Sequence, residues 1–152
     1  MESVVNRVLE QWSPLHLYFT DYVESKCDPS NTAKSILQSL RNVFQKAVLE
    51  FISFQLKRIN SFNTMFQTDA PLLHHLKAEV MKLLKEFLSD FIQVEVVRHS
   101  DPFEVDIHQP RNRVPIEHVC LGILATTTLT ECFNSDPAGV CGSHVFVLWL
   151  SL

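Results

Sequence analysis

The sequence predicts an all-α protein, and two features carry that prediction. Apolar side chains recur at three- and four-residue steps from Val4 to Ile92, the spacing that lines one face of a helix. The three glycines all lie at residue 122 or later, so none weakens a helix before that point. We therefore expect an irregular helical bundle followed by a loop-rich, poorly defined C-terminal quarter.

The composition is typical of a globular domain. The 152 residues are 46% hydrophobic and 20% charged, enough apolar material for a core that buries roughly 70% of the unfolded surface. The formal net charge is -4, and no Lys or Arg follows Arg113. Strong non-specific attraction to nucleic acid needs clustered basic residues, so DNA contact would require a local patch.

Cysteine usage and hydropathy predict an intracellular setting without a membrane partner. The four cysteines, Cys27, Cys120, Cys132 and Cys141, form no CxxC pair and are interpreted as free thiols. No leader-like segment is visible, and no stretch reaches the roughly 18 apolar residues that a membrane span needs.

Proline and small polar residues divide the first part of the chain into short helices. Ser13-Pro14 predicts a kink or a new helix, because Ser is a favourable N-cap and Pro at the next position needs no N–H. Asp28-Pro29 predicts a further helix start by the same reasoning. A turn is expected near residues 41–42.

Two longer core helices are predicted next. Residues 43–67 place large apolar side chains on one broad face, with Glu50 away from it. Asp69 and Pro71 predict the start of the following helix, whose apolar stripe runs to Phe91. An i,i+4 pair between Lys82 and Glu86 is expected on its solvent side.

The remainder of the chain is divided by composition. We predict a helical bundle over residues 1–92, a connector with one short strand near Val94–Val97 over 93–114, a helix over 115–131 and an atypical tail over 132–152. Three successive threonines at 126–128 weaken the last helix prediction, because branching at Cβ restricts χ1.

Two groups of side chains are candidate metal or acid–base sites, and both have simpler interpretations. His75 and Glu79 lie one helical turn apart beside His74, but the order differs from the zinc-protease motif, which favours a solvated surface. Asp101 and Asp106 would be paired carboxylates, although Asp before Pro is usually a turn residue.

The tail and the basic residues supply further candidates. Five residues of the C-terminal region are candidate ligands for a tetrahedral zinc site: His118, Cys120, Cys132, Cys141 and His144. Their spacing fits no standard zinc finger. Four basic residues around one helical hairpin are a candidate phosphate site: Arg41, Lys46, Lys57 and Arg58. Acidic residues nearby reduce the positive field, which favours an ordinary solvated surface.

Motifs for covalent or nucleotide chemistry are not found. The sequence contains no GxSxG nucleophile elbow and no glycine-rich phosphate loop. We therefore predict a non-enzyme without catalytic, cofactor-binding or metal residues, without a cofactor and without a small-molecule substrate. The Phe-rich face between Phe44 and Phe66 is interpreted as core, with a partner groove as the alternative.

A series of short segments resembles part of the helical insertion of hAT-type transposases and of the vertebrate BED/SCAN-type zinc-finger proteins derived from them. The similarity covers roughly residues 3–125, and its specificity lies in the order and spacing of the segments. They are Val8–Trp12, Leu15, Tyr18-Phe19, Arg58–Asn63, Met65–Gln67, Pro71-Leu72, Glu79-Val80, Lys82–Leu84, Leu88–Ile92, Asp101-Pro102 and Leu121-Gly122.

The resemblance implies a nuclear, transposon-derived protein. Members of that family hold three metal-binding acidic residues in a ribonuclease-H-like core, and none of these positions has a counterpart here. The expected role is a non-catalytic part that supports DNA contact or subunit assembly, with a protein partner or self-association, and with DNA bound only in a full-length protein. An independent helical adaptor and a small zinc protein are the alternatives.

The tail departs from the family pattern. Residues 144–150 are an uncharged, strongly β-prone run. We therefore expect a truncated or misjoined gene product, and an uninterrupted exon through Thr130 would contradict that expectation.

Overall fold

The computed structural model describes residues 1–26, 28–67, 73–115 and 118–135. These ranges contain a turn of 3-10 helix at Pro110–Asn112 and no strand, apart from an isolated antiparallel bridge between Ile92 and Arg113. The all-α class is confirmed. The α-helices are α1 (Glu2–Glu10), α2 (Trp12–Ser25), α3 (Asn31–Arg41), α4 (Val43–Phe66), α5 (Leu73–Ser89), α6 (Val94–His99) and α7 (Ile123–Ser135).

The chain divides into two units. The first unit comprises Met1–Ser53 and Gly122–Leu152, of which residues 122–135 are described at the C-terminal end. The second unit comprises Phe54–Leu121. None of the helices in the described ranges combines the length and the apolar character that crossing a bilayer requires.

The new helix predicted at Ser13-Pro14 is present, but it begins slightly earlier. Helix α2 starts at Trp12 after Gln11, which has no side-chain capping hydrogen bond. Pro14 therefore lies in the first turn, where its missing N–H costs nothing because these amides have no intrahelical acceptor.

Helix α3 is capped by Ser30, whereas the sequence pointed to Asp28. The Ser30 hydroxyl accepts a hydrogen bond from the Ala33 amide at 3.2 Å. The predicted break after Arg41 is confirmed, since Asn42 Oδ1 accepts from the amide of Phe44 at 3.0 Å. Both polar side chains satisfy amides that a helix start leaves without partners.

The buried face of α4 differs from the predicted one. Within this helix the buried side chains are Ala47, Glu50 and Ser53. The large apolar face was expected to define the core, and Glu50 was expected away from that face. Ala and Ser are small enough for close packing, and Ser53 Oγ donates to Asn6 Oδ1 of α1 at 2.5 Å, which brings this narrow face inward.

Residues 94–99 form a helix where the sequence predicted a strand. The valines favoured a strand, but Val97 alone is buried in α6. Glu95 lies in the first turn and Arg98 in the last, with 3.8 Å between their charged atoms. This charge order complements the helix dipole, whereas strand propensity stabilises a segment only beside a neighbouring strand.

The last helix begins later than the sequence indicated. Helix α7 starts at Ile123, directly after Gly122, whose φ of 82° lies in the left-handed region where Gly is favoured. The threonines fit the helix because their hydroxyls donate to carbonyls one turn earlier, as Thr126 does to Gly122 at 2.9 Å. The predicted cap at Asp69 and Pro71 lies outside the described residues.

Ser30→Ala is expected to lower the free energy of unfolding by about 1 kcal/mol, because it removes the hydroxyl that caps α3. Urea unfolding followed by circular dichroism measures the change. Ser35→Ala, at an exposed position inside the same helix, is the matched control and should be neutral or slightly stabilising. Equal effects of the two substitutions would contradict the capping role.

Glu50→Met is expected to leave the free energy of unfolding unchanged or to raise it by about 1 kcal/mol. Glu50 is 7% exposed; Oε1 lies 3.7 Å from Lys46 Nζ, while the buried Oε2 has no hydrogen-bond partner in the described structure. Glu50→Gln keeps polar atoms in the same place and should gain less. A loss of more than ~2 kcal/mol in Glu50→Met would show that the carboxylate is satisfied.

Candidate functional site

A buried ion pair connects two helices of the second unit. Asp90 follows directly after α5 and is 4% exposed. Its carboxylate accepts hydrogen bonds from Arg58 Nη1 at 2.5 Å and from Nη2 at 3.1 Å, so Arg58 of α4 binds it in a two-pronged fashion. This planar match of guanidinium and carboxylate is the strongest form of such a pair.

Further contacts fix both partners. Gln55 Nε2 donates to the Asp90 carboxylate at 2.8 Å, and Gln55 Oε1 accepts from Arg58 at 3.2 Å. The guanidinium carbon lies 4.5 Å from the ring centre of Phe54, within cation–π range. The backbone carbonyl of Asp90 accepts from the amide of Cys120 at 3.1 Å, which ties the end of the connector to the same point.

The pair also reinforces the positive charge of Arg58. The hydrogen bond to Asp90 raises the pKa of the Arg58 guanidinium; partial burial lowers this pKa, and the negative charge of Asp90 adds to the increase. A pKa raised by folding stabilises the folded protein at every pH below the unfolded-state pKa, and this contribution is lost only as the pH rises through the folded-state pKa. Arg58 is therefore charged throughout the physiological range.

Arg58 and Asp90 form part of the lining of a shallow, open depression of 710 Å³, which we call the α5 groove. The other lining residues come from one face of α5, at positions spaced by three and four residues. They are Ala78, Met81, Lys82, Lys85, Glu86 and Ser89.

The lysines of the α5 groove are not neutralised by the protein. Lys82 is exposed and Lys85 half-buried, and neither has a carboxylate within 4.0 Å in the part of the chain that the structure describes. The predicted i,i+4 pair between Lys82 and Glu86 is therefore wrong. Exposed pairs of this kind contribute little, so their side chains are left to solvent.

The histidine candidate is not assembled into a site. The rings of His74 and His75 lie 3.9 Å apart and are exposed, and Glu79 is half-buried one turn further along. Across the described ranges, no three His, Cys, Asp or Glu residues come together as a group that could hold a metal ion.

The two aspartates of the connector are turn residues, as the sequence favoured. Asp101 Oδ1 accepts from the Phe103 amide and Asp106 Oδ1 from the His108 amide, both at 3.0 Å. Each carboxylate thus closes a local turn with the amide two residues later.

The proposed zinc ligands lie only partly within the described residues. His118 and Cys120 are exposed, and Cys132 is half-buried on α7. Cys141 and His144 lie outside the described ranges.

The four basic residues do not form a common phosphate site. Arg58 binds Asp90, and Lys46 lies 3.7 Å from Glu50. Arg41 and Lys57 are exposed. Two of the four positive charges are therefore already matched by carboxylates.

The Phe-rich face of α4 is only half-buried. Its aromatic residues Phe44, Phe51, Phe62 and Phe66 all fall between the buried and the exposed classes, and Val48 is exposed. The prediction that this face forms the centre of the core is not supported, because the buried side chains of α4 are Ala47, Glu50 and Ser53.

The sequence contained an unused signal for the Arg58–Asp90 pair. Asp90 continues the apolar stripe of α5 at the spacing Leu83, Phe87, Asp90, and Arg58 lies one turn after Phe54 on α4. Opposite charges at apolar positions of successive helices indicate a buried pair, because an isolated buried charge is costly.

Comparison with known proteins adds no relative. No protein-family model, curated protein or solved structure matches the chain. The resemblance to the hAT insertion thus stays a prediction, and the α5 groove is interpreted from its own geometry and charge.

Arg58→Met is expected to lower the free energy of unfolding by about 3 kcal/mol, because Asp90 would remain buried without its cation. Chemical unfolding at neutral pH measures the loss. Lys57→Met, at the exposed neighbouring position, is the control and should change stability by no more than about 0.5 kcal/mol.

The double variant Arg58→Met with Asp90→Leu completes the cycle. It should regain a large part of the stability lost in Arg58→Met, because no unpaired charge remains buried. If the double variant lost as much stability as Arg58→Met and Asp90→Leu lose together, the two residues would not act as a pair.

Proposed function

We propose that the chain is a non-catalytic interaction part of a nuclear, transposase-like protein, and that it contributes to subunit assembly. The single observation that carries this proposal is the α5 groove, an open surface with two unneutralised lysines beside a buried ion pair. The resemblance to the hAT insertion supplies the protein context.

The shape of the groove supports a macromolecular partner. Small-molecule sites are concave and enclose most of their ligand, whereas this depression is shallow and open. Its lining includes Met81 and Ala78 beside charged side chains, so a partner that matches it needs both apolar and charged groups.

The Arg58–Asp90 pair gives the groove a defined geometry before a partner binds. It joins α4 to the C-terminal end of α5, and Arg58 also donates to the Glu86 carbonyl at 3.4 Å. A preformed surface loses less conformational entropy on association, which supports specific binding.

An independent adaptor that binds through the Phe-rich face of α4 is the second candidate. The half-exposure of Phe62 and Phe66 and the exposed Val48 favour it, since large apolar side chains left accessible on one helix are typical of interfaces. The two candidates place the partner on different residues.

Site-specific photo-cross-linking in cells tests the proposal. With p-benzoylphenylalanine at Ser89, an exposed and uncharged residue of the lining, we expect a cross-linked protein adduct of defined mass, because a partner in the α5 groove would lie beside that side chain. The control position is Glu104, which is exposed in the same unit and does not line the groove.

The outcomes separate the candidates. An adduct at Val48 without one at Ser89 would favour the adaptor, and equal labelling at Ser89 and Glu104 would overturn the groove assignment. Cleavage or joining of DNA strands by the purified chain with a divalent metal would overturn the non-catalytic assignment.

A further inference from the structure

We infer that the α5 groove binds an acidic, amphipathic helical segment of a partner protein. This inference rests on the proposed function and specifies the chemistry of the partner. It follows from the charge of the groove, from the spacing of its two lysines and from its two apolar residues, Ala78 and Met81.

The charge of the groove is locally opposite to that of the whole chain. Arg58 and Asp90 neutralise each other, so Lys82 and Lys85 stand against Glu86 alone and leave a formal charge of +1. The complete chain carries -4. An acidic segment is thus attracted to this groove and repelled by the average surface, which favours one docking position.

The spacing of the two lysines matches a helix. Lys82 and Lys85 are three residues apart on α5, which places their Cβ atoms about 5–6 Å from each other. Two acidic residues three or four positions apart on a second helix have the same separation. Both lysines are then paired by one continuous helical segment.

The apolar residues distinguish a peptide from a nucleic acid. Met81 and Ala78 lie on the same face of α5 as the lysines, and Met adapts its shape to an apolar side chain packed against it. A phosphate backbone offers no such side chain, because its surface towards the protein is charged and polar. An acidic helix with one apolar anchor satisfies both features.

A peptide titration tests the inference on the intact chain. The probe is a fluorescent helical peptide of about 16 residues with paired Glu residues flanking one Leu, long enough to populate a helix in water. Fluorescence anisotropy should show binding that weakens as salt increases, because the lysine contacts are solvent-accessible.

Charge reversal identifies the site. Lys82→Glu with Lys85→Glu should weaken binding of the peptide at least about tenfold, since two attractions become repulsions. The matched control is Lys34→Glu with Arg41→Glu, two exposed basic residues of the first unit that do not line the groove. A Leu→Ser version of the peptide should also bind more weakly, because it has no anchor for Met81.

Three results would overturn the inference: no binding of the acidic peptide, equal weakening in the control variant, or binding of duplex DNA with the same loss on charge reversal. Circular dichroism confirms that each variant is folded. If the Ser89 cross-link is specific while the acidic peptide fails to bind, the groove has a partner of other chemistry. If neither is observed, the proposed function fails as well.

Discussion

The bidentate contact between Arg58 and Asp90 is the constraint on which the second unit depends. It holds the middle of α4 against the end of α5. The backbone carbonyl of Asp90 also accepts a hydrogen bond from the amide of Cys120, which holds the end of the connector at the same place. Burying either charge alone would be strongly unfavourable, so each is tolerated only while the other is present. The pair therefore specifies how these segments meet more than it adds net stability.

The buried carboxylate of the first unit, Glu50, has fewer polar partners than Asp90. Glu50 lies among small side chains on α4, and only one of its oxygens faces a cation, Lys46, across one helical turn. Asp90 instead has three donated hydrogen bonds from Arg58 and Gln55. One acidic residue is thus fully satisfied by a partner distant in sequence, while the other retains an unsatisfied atom that burial makes costly.

The charge of the α5 groove depends on the mutual neutralisation of Arg58 and Asp90. Because Arg58 and Asp90 cancel, the charge presented by the α5 groove comes from Lys82, Lys85 and Glu86, all on a single helix. One helix face thereby combines these charges with the apolar side chains of Ala78 and Met81. Such a surface discriminates between partners by the arrangement of their charges, since unmatched or like charges are penalised.

The sequence by itself determined the all-α class, a new helix close to Ser13-Pro14 and the break near Asn42, because these depend on local periodicity and on which residues can begin or end a helix. Only the tertiary structure decided which face of α4 is buried, that residues 94–99 are helical, and that Arg58 meets Asp90. These outcomes depend on contacts between residues far apart in the chain, such as the 32 positions that separate that pair. Helical periodicity shows that a face is apolar, but not what packs against it.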